Sequence, residues 1–378
     1  MLVQFLRSLT LLMLIGSAQL GASEFNSERG PLSLEPLVSG LEHPWGLAFL
    51  PQQQGFLITE RPGRLRWLDT AGRLSPPLAG VPAVYGKGQG GLLDVALSPD
   101  FARERWVYLS YAEVGEDGQA GTAVGRGRLA VDNSALEDFS VIFRQTPKLS
   151  TGAHFGSRLV FDTQGYLFIT LGDNNQRAAA QGLDKLQGKV VRLHADGRVP
   201  ADNPWVGQAG VRAEIWSYGH RNPQGAALNP WSGQLWTHEH GPRGGDEINI
   251  PKAGKNYGWP LATHGVNYSF LPIPEAQGKV VAGTEPALHV WAKSPALSGM
   301  AFYDGERFTA WRNNLFIGAL AGQALLRLQL DGDRVVHEER LLQGKARIRD
   351  VRQGPDGYLY LLTDAADGQL LRLGLRED

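Results

Sequence analysis

"RDVRQGPDGYLYLLTDAADGQLLRLGL", residues 349–375, reads as three short strands separated by Asp/Gly turns. Its middle piece, "GYLYLLTD" at 357–364, belongs to a series of six short apolar strands that follow a turn and end in or beside a polar residue. The others are "GFLITE" at 55–60, "WVYLSY" at 106–111, "GYLFIT" at 165–170, "GQLWTHE" at 233–239 and "NLFIGA" at 314–319. Most have a strand-like piece upstream ("WGLAFLP", "LLDVALSPD", "SRLVFDTQG", "GMAFYDG"). Several have a third piece downstream ("GRLRWLD", "KVVRLHADG", "QALLRLQLDG"). A unit of antiparallel strands recurring along the chain is the signature of propeller blades. A β-sandwich could also use such strands, but six copies of one unit favour radial repetition without long crossovers. The expectation is an all-β protein, a six-bladed β-propeller of four-stranded antiparallel sheets.

The chain has 378 residues and a formal net charge of −1, so nothing in the overall balance points to nucleic acid or an acidic membrane surface. It contains no cysteine, which excludes disulfides and thiolate metal sites. The start, "MLVQFLRSLTLLMLIGSAQLGAS", places Arg7 before an apolar run and then small residues, the pattern of a secretory signal too short to span a membrane. The expected organisation is a signal peptide over 1–22 and a single catalytic propeller over 23–378, exported to the periplasm or secreted.

In a propeller the polar residues at inner strand ends and in loops on one face carry the chemistry. Gln89 sits among glycines in "GKGQGGLLDVAL" and His154 likewise in "STGAHFGSRLVF". Arg221 and Asn222 lie in "SYGHRNPQGAALNP", and "KARIRDVRQGPDG" offers Arg347 and Arg349, two apart and so on one side of a strand. Two guanidiniums on one face suit carboxylates or phosphates. "WTHEHGPRGGDEIN", residues 236–249, mixes acids and imidazoles with glycine and proline. His238, Glu239 and His240 allow a zinc reading, but no third imidazole or helical pair of histidines supports it.

Taken in order, these loops resemble the soluble PQQ-dependent sugar dehydrogenases, closest to the aldose sugar dehydrogenase branch. "SYGHRNPQG" and "EHGPRGGDEIN" are the specific stretches. The resemblance implies two cofactors, PQQ, a planar ortho-quinone with carboxylates, and Ca²⁺. It implies that the carbonyls of Gly241 and Pro242 ligate the cofactor's calcium, and that Glu247 and Tyr257 supply a carboxylate and a main-chain oxygen to a further, structural one. It implies His154 as the base that takes the C1 hydroxyl proton, oriented by Asp173, with Arg221 stabilising charge on the reduced quinone. Gln89, Asn222, Tyr268, Arg347 and Arg349 would then hold the cofactor. The two C-terminal arginines are expected to lack an acidic neighbour on their face.

The implied reaction oxidises aldoses at C1 to lactones and passes electrons to an external acceptor, in a monomer or homodimer. This chain departs from the glucose-oxidising branch at Ala153, where that branch has an acid, and at Ala321, where it has a lysine. Two other readings share the shape: a calcium-dependent propeller lactonase and a non-catalytic sugar-binding propeller. The lactonase needs acidic and amide side chains converging on a channel metal, whereas this channel collects arginines.

Overall fold

The structure, a computed structural model, describes residues 23–376; the leader expected over 1–22 lies outside the described residues. Six antiparallel sheets follow one another along the chain, each beginning with its innermost strand. The inner strands are Pro44–Phe49, Leu92–Leu97, Leu159–Phe161, Pro223–Leu228, Leu297–Tyr303 and Ile348–Gln353, and define blades 1 to 6. Each touches the next, and the sixth touches the first, so the ring is closed. The fold is the expected six-bladed propeller. No helix among the described residues is long and apolar enough to cross a membrane.

Blade size differs from the uniform four strands expected. Blades 2 to 5 have four strands, blade 1 has three, and blade 6 has five. Blade 1 ends at Leu68 with only an isolated bridge, Leu68 to Leu74, where a fourth strand would lie. Blade 6 takes its outer strands from the other end of the chain: Gly30–Leu41 pairs with Gly368–Leu375, and Ser23–Ser27 pairs with Gly30–Leu41. This N-to-C pairing fastens the ring by joining the two ends of the chain in one sheet.

The continuous apolar runs become intelligible at the second strand of each blade, because both of its faces are covered by neighbouring blades. In blade 5, Leu315 and Ile317 pack toward blade 4, while Phe316 packs toward blade 6. In blade 6, Leu361 faces blade 5, and Tyr360 and Leu362 face blade 1. Every blade-to-blade interface has its own apolar cluster. At about 1.5–3 kcal/mol per fully buried large aliphatic or aromatic side chain, these clusters supply the dominant favourable term.

Two features of the inner strands position the site. Five of the six are bulged near their first residues, at Pro44/Leu47, Leu92/Val95, Pro223/Gly225, Leu297/Met300 and Ile348/Asp350. A bulge turns side chains that would point along the sheet toward the channel mouth. Below that mouth a buried charge network fills the channel. Arg158 pairs with Asp94 (3.2 Å) and Asp350 (3.0 Å), and Arg352 pairs with both at 2.9 Å. The two acids also accept the backbone N–H of Leu159 and Leu47 from adjacent blades, fixing inner-strand register around the ring.

Candidate active site

The starts of the inner strands and the ends of the second strands lie at one end of the channel, and most of the sequence-derived candidates gather there. His154 precedes blade 3 with φ +55, a left-handed conformation costly for any residue but glycine. It is held in place by its surroundings. Gln89 Oε1 accepts its backbone N–H at 2.8 Å, Asn174 Nδ2 donates to its carbonyl at 3.0 Å, and its Nδ1 lies 2.6 Å from Asp173 Oδ1. Gly172 runs so close beneath that a Cβ there would sit 1.8 Å from the His154 carbonyl oxygen, so only glycine fits.

Asp173 is fully buried and satisfied on both oxygens. Oδ1 also accepts the Asn175 N–H (2.9 Å), and Oδ2 accepts the indole N–H of Trp259 (2.8 Å). Burial alone would raise this carboxyl, but the bond to His154, the Arg221 charge and the Trp259 N–H hold it below its ordinary value. Burial lowers the His154 imidazole, opposed by its bond to Asp173 and reinforced by the Arg221 charge; the net shift is downward. Nδ1–H thus donates to a carboxylate, which leaves the lone pair of the neutral ring on Nε2.

Arg221 sits across from this pair, its guanidinium 5.3 Å above the Trp259 ring and bonded to the carbonyls of His240 (3.0 Å) and Gly241 (2.8 Å). Trp259 therefore joins Arg221 to the His154–Asp173 pair. Asn222 accepts the Gly156 N–H (3.1 Å) and the Gln224 side-chain amide (3.4 Å). Gln224 in turn accepts Arg349 Nη1 at 2.9 Å. Neither Trp259 nor Gln224 carried a sequence signal of its own; Trp259 enters from a loop, and Gln224 from the bulged start of the blade 4 inner strand.

The two C-terminal arginines share one side, as their spacing required, but they are not unpaired. Asp364, at the end of the second strand of blade 6, lies 3.0 Å from Arg347 Nη2 and 3.5 Å from Arg349 Nη2, and binds His43 Nδ1 at 3.0 Å. The expectation of no acidic neighbour is corrected: the acid comes from the adjacent strand, which spacing along one strand cannot reveal. Arg347 is 45 % exposed, whereas Arg349 is buried, its Nε has no partner among the described residues, and burial lowers it to about 10.

The Gly241–Gly245 loop approaches closely, with a Cβ at Gly241 falling 2.2 Å from the Gly244 carbonyl oxygen. The Gly241 carbonyl is engaged by Arg221, while that of Pro242 accepts no hydrogen bond among the described residues. Glu247 lies opposite Glu239 across a strand pair. Burial and then the Glu239 charge push Glu247 up to about 8. Beside it the Asn249 Oδ1 is buried without a partner. Tyr257 stacks on His220 (4.9 Å), and its carbonyl accepts no hydrogen bond among the described residues. Tyr268 is not brought in: it is 70 % exposed and bonds to no other candidate.

The zinc reading gains nothing from the geometry. The His238 and His240 rings are committed to the carbonyls of Ser298 (2.5 Å) and Leu297, and Glu239 serves the loop of Arg221. No group of three or more His, Asp or Glu side chains placed to hold a metal occurs among the described residues. A cavity of about 1030 Å³ opens at the opposite ends of the inner strands, beside Phe49, Leu97 and Gln353, with its acids Asp69 and Asp356 already bonded to Arg73 and Tyr360. The cluster of His154, Asp173 and Arg221 lies at the other end.

Residues 41–372 match the family described as Glucose / Sorbosone dehydrogenase. The chain is 60 % identical over 346 residues to the aldose sugar dehydrogenase YliI of Escherichia coli (strain K12), covering 91 % of this chain and 93 % of that one. A solved glucose dehydrogenase superposes with a TM-score of 0.90 at 69 % identity, over 91 % of this chain and 99 % of that chain. The PQQ-bound form of the aldose sugar dehydrogenase of Streptomyces coelicolor gives 0.75 at 28 % identity, over 91 % and 98 %. With the propeller, its polar mouth and the family match running together from Leu41 to Arg372, the chain belongs to the glucose/sorbosone dehydrogenase family.

Proposed function

We propose that the protein is an aldose sugar dehydrogenase that uses PQQ and Ca²⁺ to oxidise the sugar C1 to a lactone. The observation that carries this reading is the buried His154–Asp173 pair facing Arg221 at a channel mouth ringed with guanidiniums. The residues present suit such a cofactor. Arg221, Arg347 and Arg349 outnumber the one acid, Asp364, set against the last two, and the unpartnered Arg349 Nε can still donate. The relatives support it: one of the similar structures carries PQQ.

When bound, PQQ with its calcium would supply a two-electron acceptor for the hydride leaving C1. The chain supplies the rest. His154 Nε2 takes the hydroxyl proton; Asp173 holds the ring so that this nitrogen faces the sugar and stabilises the imidazolium that results. Arg221 places positive charge beside the centre where negative charge develops. Arg349, with Gln224 behind it, and the more exposed Arg347 hold the cofactor's carboxylates.

For calcium, the free Pro242 carbonyl and the shared Gly241 carbonyl would serve the cofactor's ion. Glu247, the Tyr257 carbonyl and the orphaned Asn249 Oδ1 form a hard-oxygen set for the further ion, where a cation would relieve the facing Glu239 and Glu247. The apolar leader supports export to the periplasm or medium, which the mature N-terminus of secreted protein would test.

The test is reconstitution: PQQ and Ca²⁺ are added to purified apo-protein, and quinone absorbance and aldose-dependent dye reduction are followed. The proposal expects both. A lactonase would show neither, and a sugar-binding propeller would show no dye reduction.

A further inference from the structure

Glu239 ends the second strand of blade 4, Leu235–Glu239, and is 3 % exposed. Its Oε2 accepts the backbone N–H of Arg221 and, at 3.3 Å, that of Asn222. Its Oε1 accepts His220 Nδ1 (3.0 Å) and Asn249 Nδ2 (3.2 Å). His220 is fixed in turn by Ser217 Oγ on Nε2 (2.8 Å) and by Tyr257, whose ring lies 4.9 Å away and nearly parallel at 16°. Four donors from two segments thus converge on one carboxylate.

The next two residues hold the other end of the same arginine, through the carbonyls of His240 and Gly241 on Arg221 Nη1. Residues 239–241 therefore fix both the main chain and the guanidinium of Arg221. A buried acid is a costly way to end a strand when apolar packing would serve for stability alone. Here its charge is directed onto the N–H groups of Arg221 and Asn222.

We infer that Glu239 is a positioning residue for Arg221, setting where the guanidinium lies over Trp259 and so how fast bound sugar is oxidised. The inference rests on the reading above that Arg221 acts at the reacting centre. Glu239 is buried with both oxygens taken by protein donors, so it acts through Arg221. Loss of its charge acts on the transition state through a displaced Arg221, leaving sugar binding in the ground state nearly unchanged.

The test uses the full chain loaded with PQQ and Ca²⁺, as wild type, Glu239→Gln and His220→Gln. Glutamine keeps one acceptor but turns an NH₂ group toward donors. The expected result for Glu239→Gln is a kcat per PQQ-loaded site lowered by about 30-fold or more with a KM within about threefold of wild type. The absorbance of bound PQQ should shift as Arg221 moves. A kcat within about threefold of wild type, or a loss confined to KM, overturns the inference.

If Glu239→Gln does not fold, His220→Gln decides: it exchanges the imidazole held by Ser217 and Tyr257 for a flexible amide and leaves the carboxylate, and a kcat lowered about fivefold at constant KM is expected, a wild-type kcat contradictory. A wild-type protein that binds PQQ but oxidises no aldose fails the functional reading instead. An unshifted PQQ spectrum in Glu239→Gln then overturns the positioning role on its own evidence. A wild type that binds no PQQ overturns both.

Discussion

Trp259 donates its indole N–H to Asp173 Oδ2 at 2.8 Å, on the oxygen that His154 leaves free. The ring of the same tryptophan lies under Arg221, so one side chain spans the two halves of the site. Trp259→Phe keeps the ring and removes the N–H. The expected outcome is a kcat lowered by about tenfold, equivalent to about 1.4 kcal/mol for one lost bond to a charged group, with cofactor affinity retained. Steady-state kinetics on PQQ-loaded protein check this, and an unchanged kcat contradicts it.

The pH profile follows from the direction of the His154 shift. Burial lowers the imidazole, the Asp173 bond raises it in part, and Arg221 lowers it again. The neutral, base form is therefore favoured, and activity should rise with pH along a limb below about 6.5, the ordinary histidine value, then level off before neutrality. Asp173→Asn removes the raising partner, so the limb should move further down while the plateau falls. A wild-type limb centred above about pH 7 would contradict the assignment.

Much of the fold was legible because the second strand of each blade is buried on both faces and reads as an uninterrupted apolar run, as in "NLFIGA" and "YLYLLT". The unequal blades were not. The Gly30–Leu41 strand completes blade 6 across more than 300 residues of chain, and local turn signals carry no such pairing. At the site, His154 and Asp173 were legible as a polar residue before one strand and an acid after the next, which antiparallel pairing brings together. Trp259, Asp364 and Glu239 were not: Trp259 reaches Asp173 of blade 3 from a loop of blade 4, and Asp364 and Glu239 end second strands beside the inner strands they serve, a neighbour that spacing along one strand does not show. Tyr268 shows the converse, a family position that here stands out in solvent.

The arginine pair should divide unequally. Arg349 is buried with an unpartnered Nε, whereas Arg347 is 45 % exposed and paired at 3.0 Å with Asp364. Arg349→Ala is expected to weaken PQQ binding by about 1.5–3 kcal/mol, the range for a bond to a charged group. Arg347→Ala should cost about 1 kcal/mol or less, as for an exposed ion pair. Titration of apo-protein with PQQ by absorbance or calorimetry measures both. Equal losses, or sugar affinity collapsing while PQQ binding holds, would move these arginines to another role.

Calcium should stabilise the apo-protein through the Glu247, Asn249 and Tyr257 oxygens. Saturating Ca²⁺ at about 100 times its Kd is expected to add about 2.7 kcal/mol by mass action, visible as a higher Tm. Chelation should reverse the gain, Zn²⁺ should not reproduce it, and Glu247→Gln should abolish most of it. Thermal melts with each ion decide; a Tm indifferent to calcium in wild type would remove the site.

The central claim is that His154 is the base of a sugar-oxidising site, and the most direct test is turnover by PQQ-loaded His154→Ala against wild type. The account predicts a kcat lowered by a factor on the order of 10²–10⁴, with PQQ still bound at wild-type stoichiometry and its Kd little changed, because the imidazole acts on the sugar proton. A variant that oxidises aldoses at the wild-type rate would contradict it.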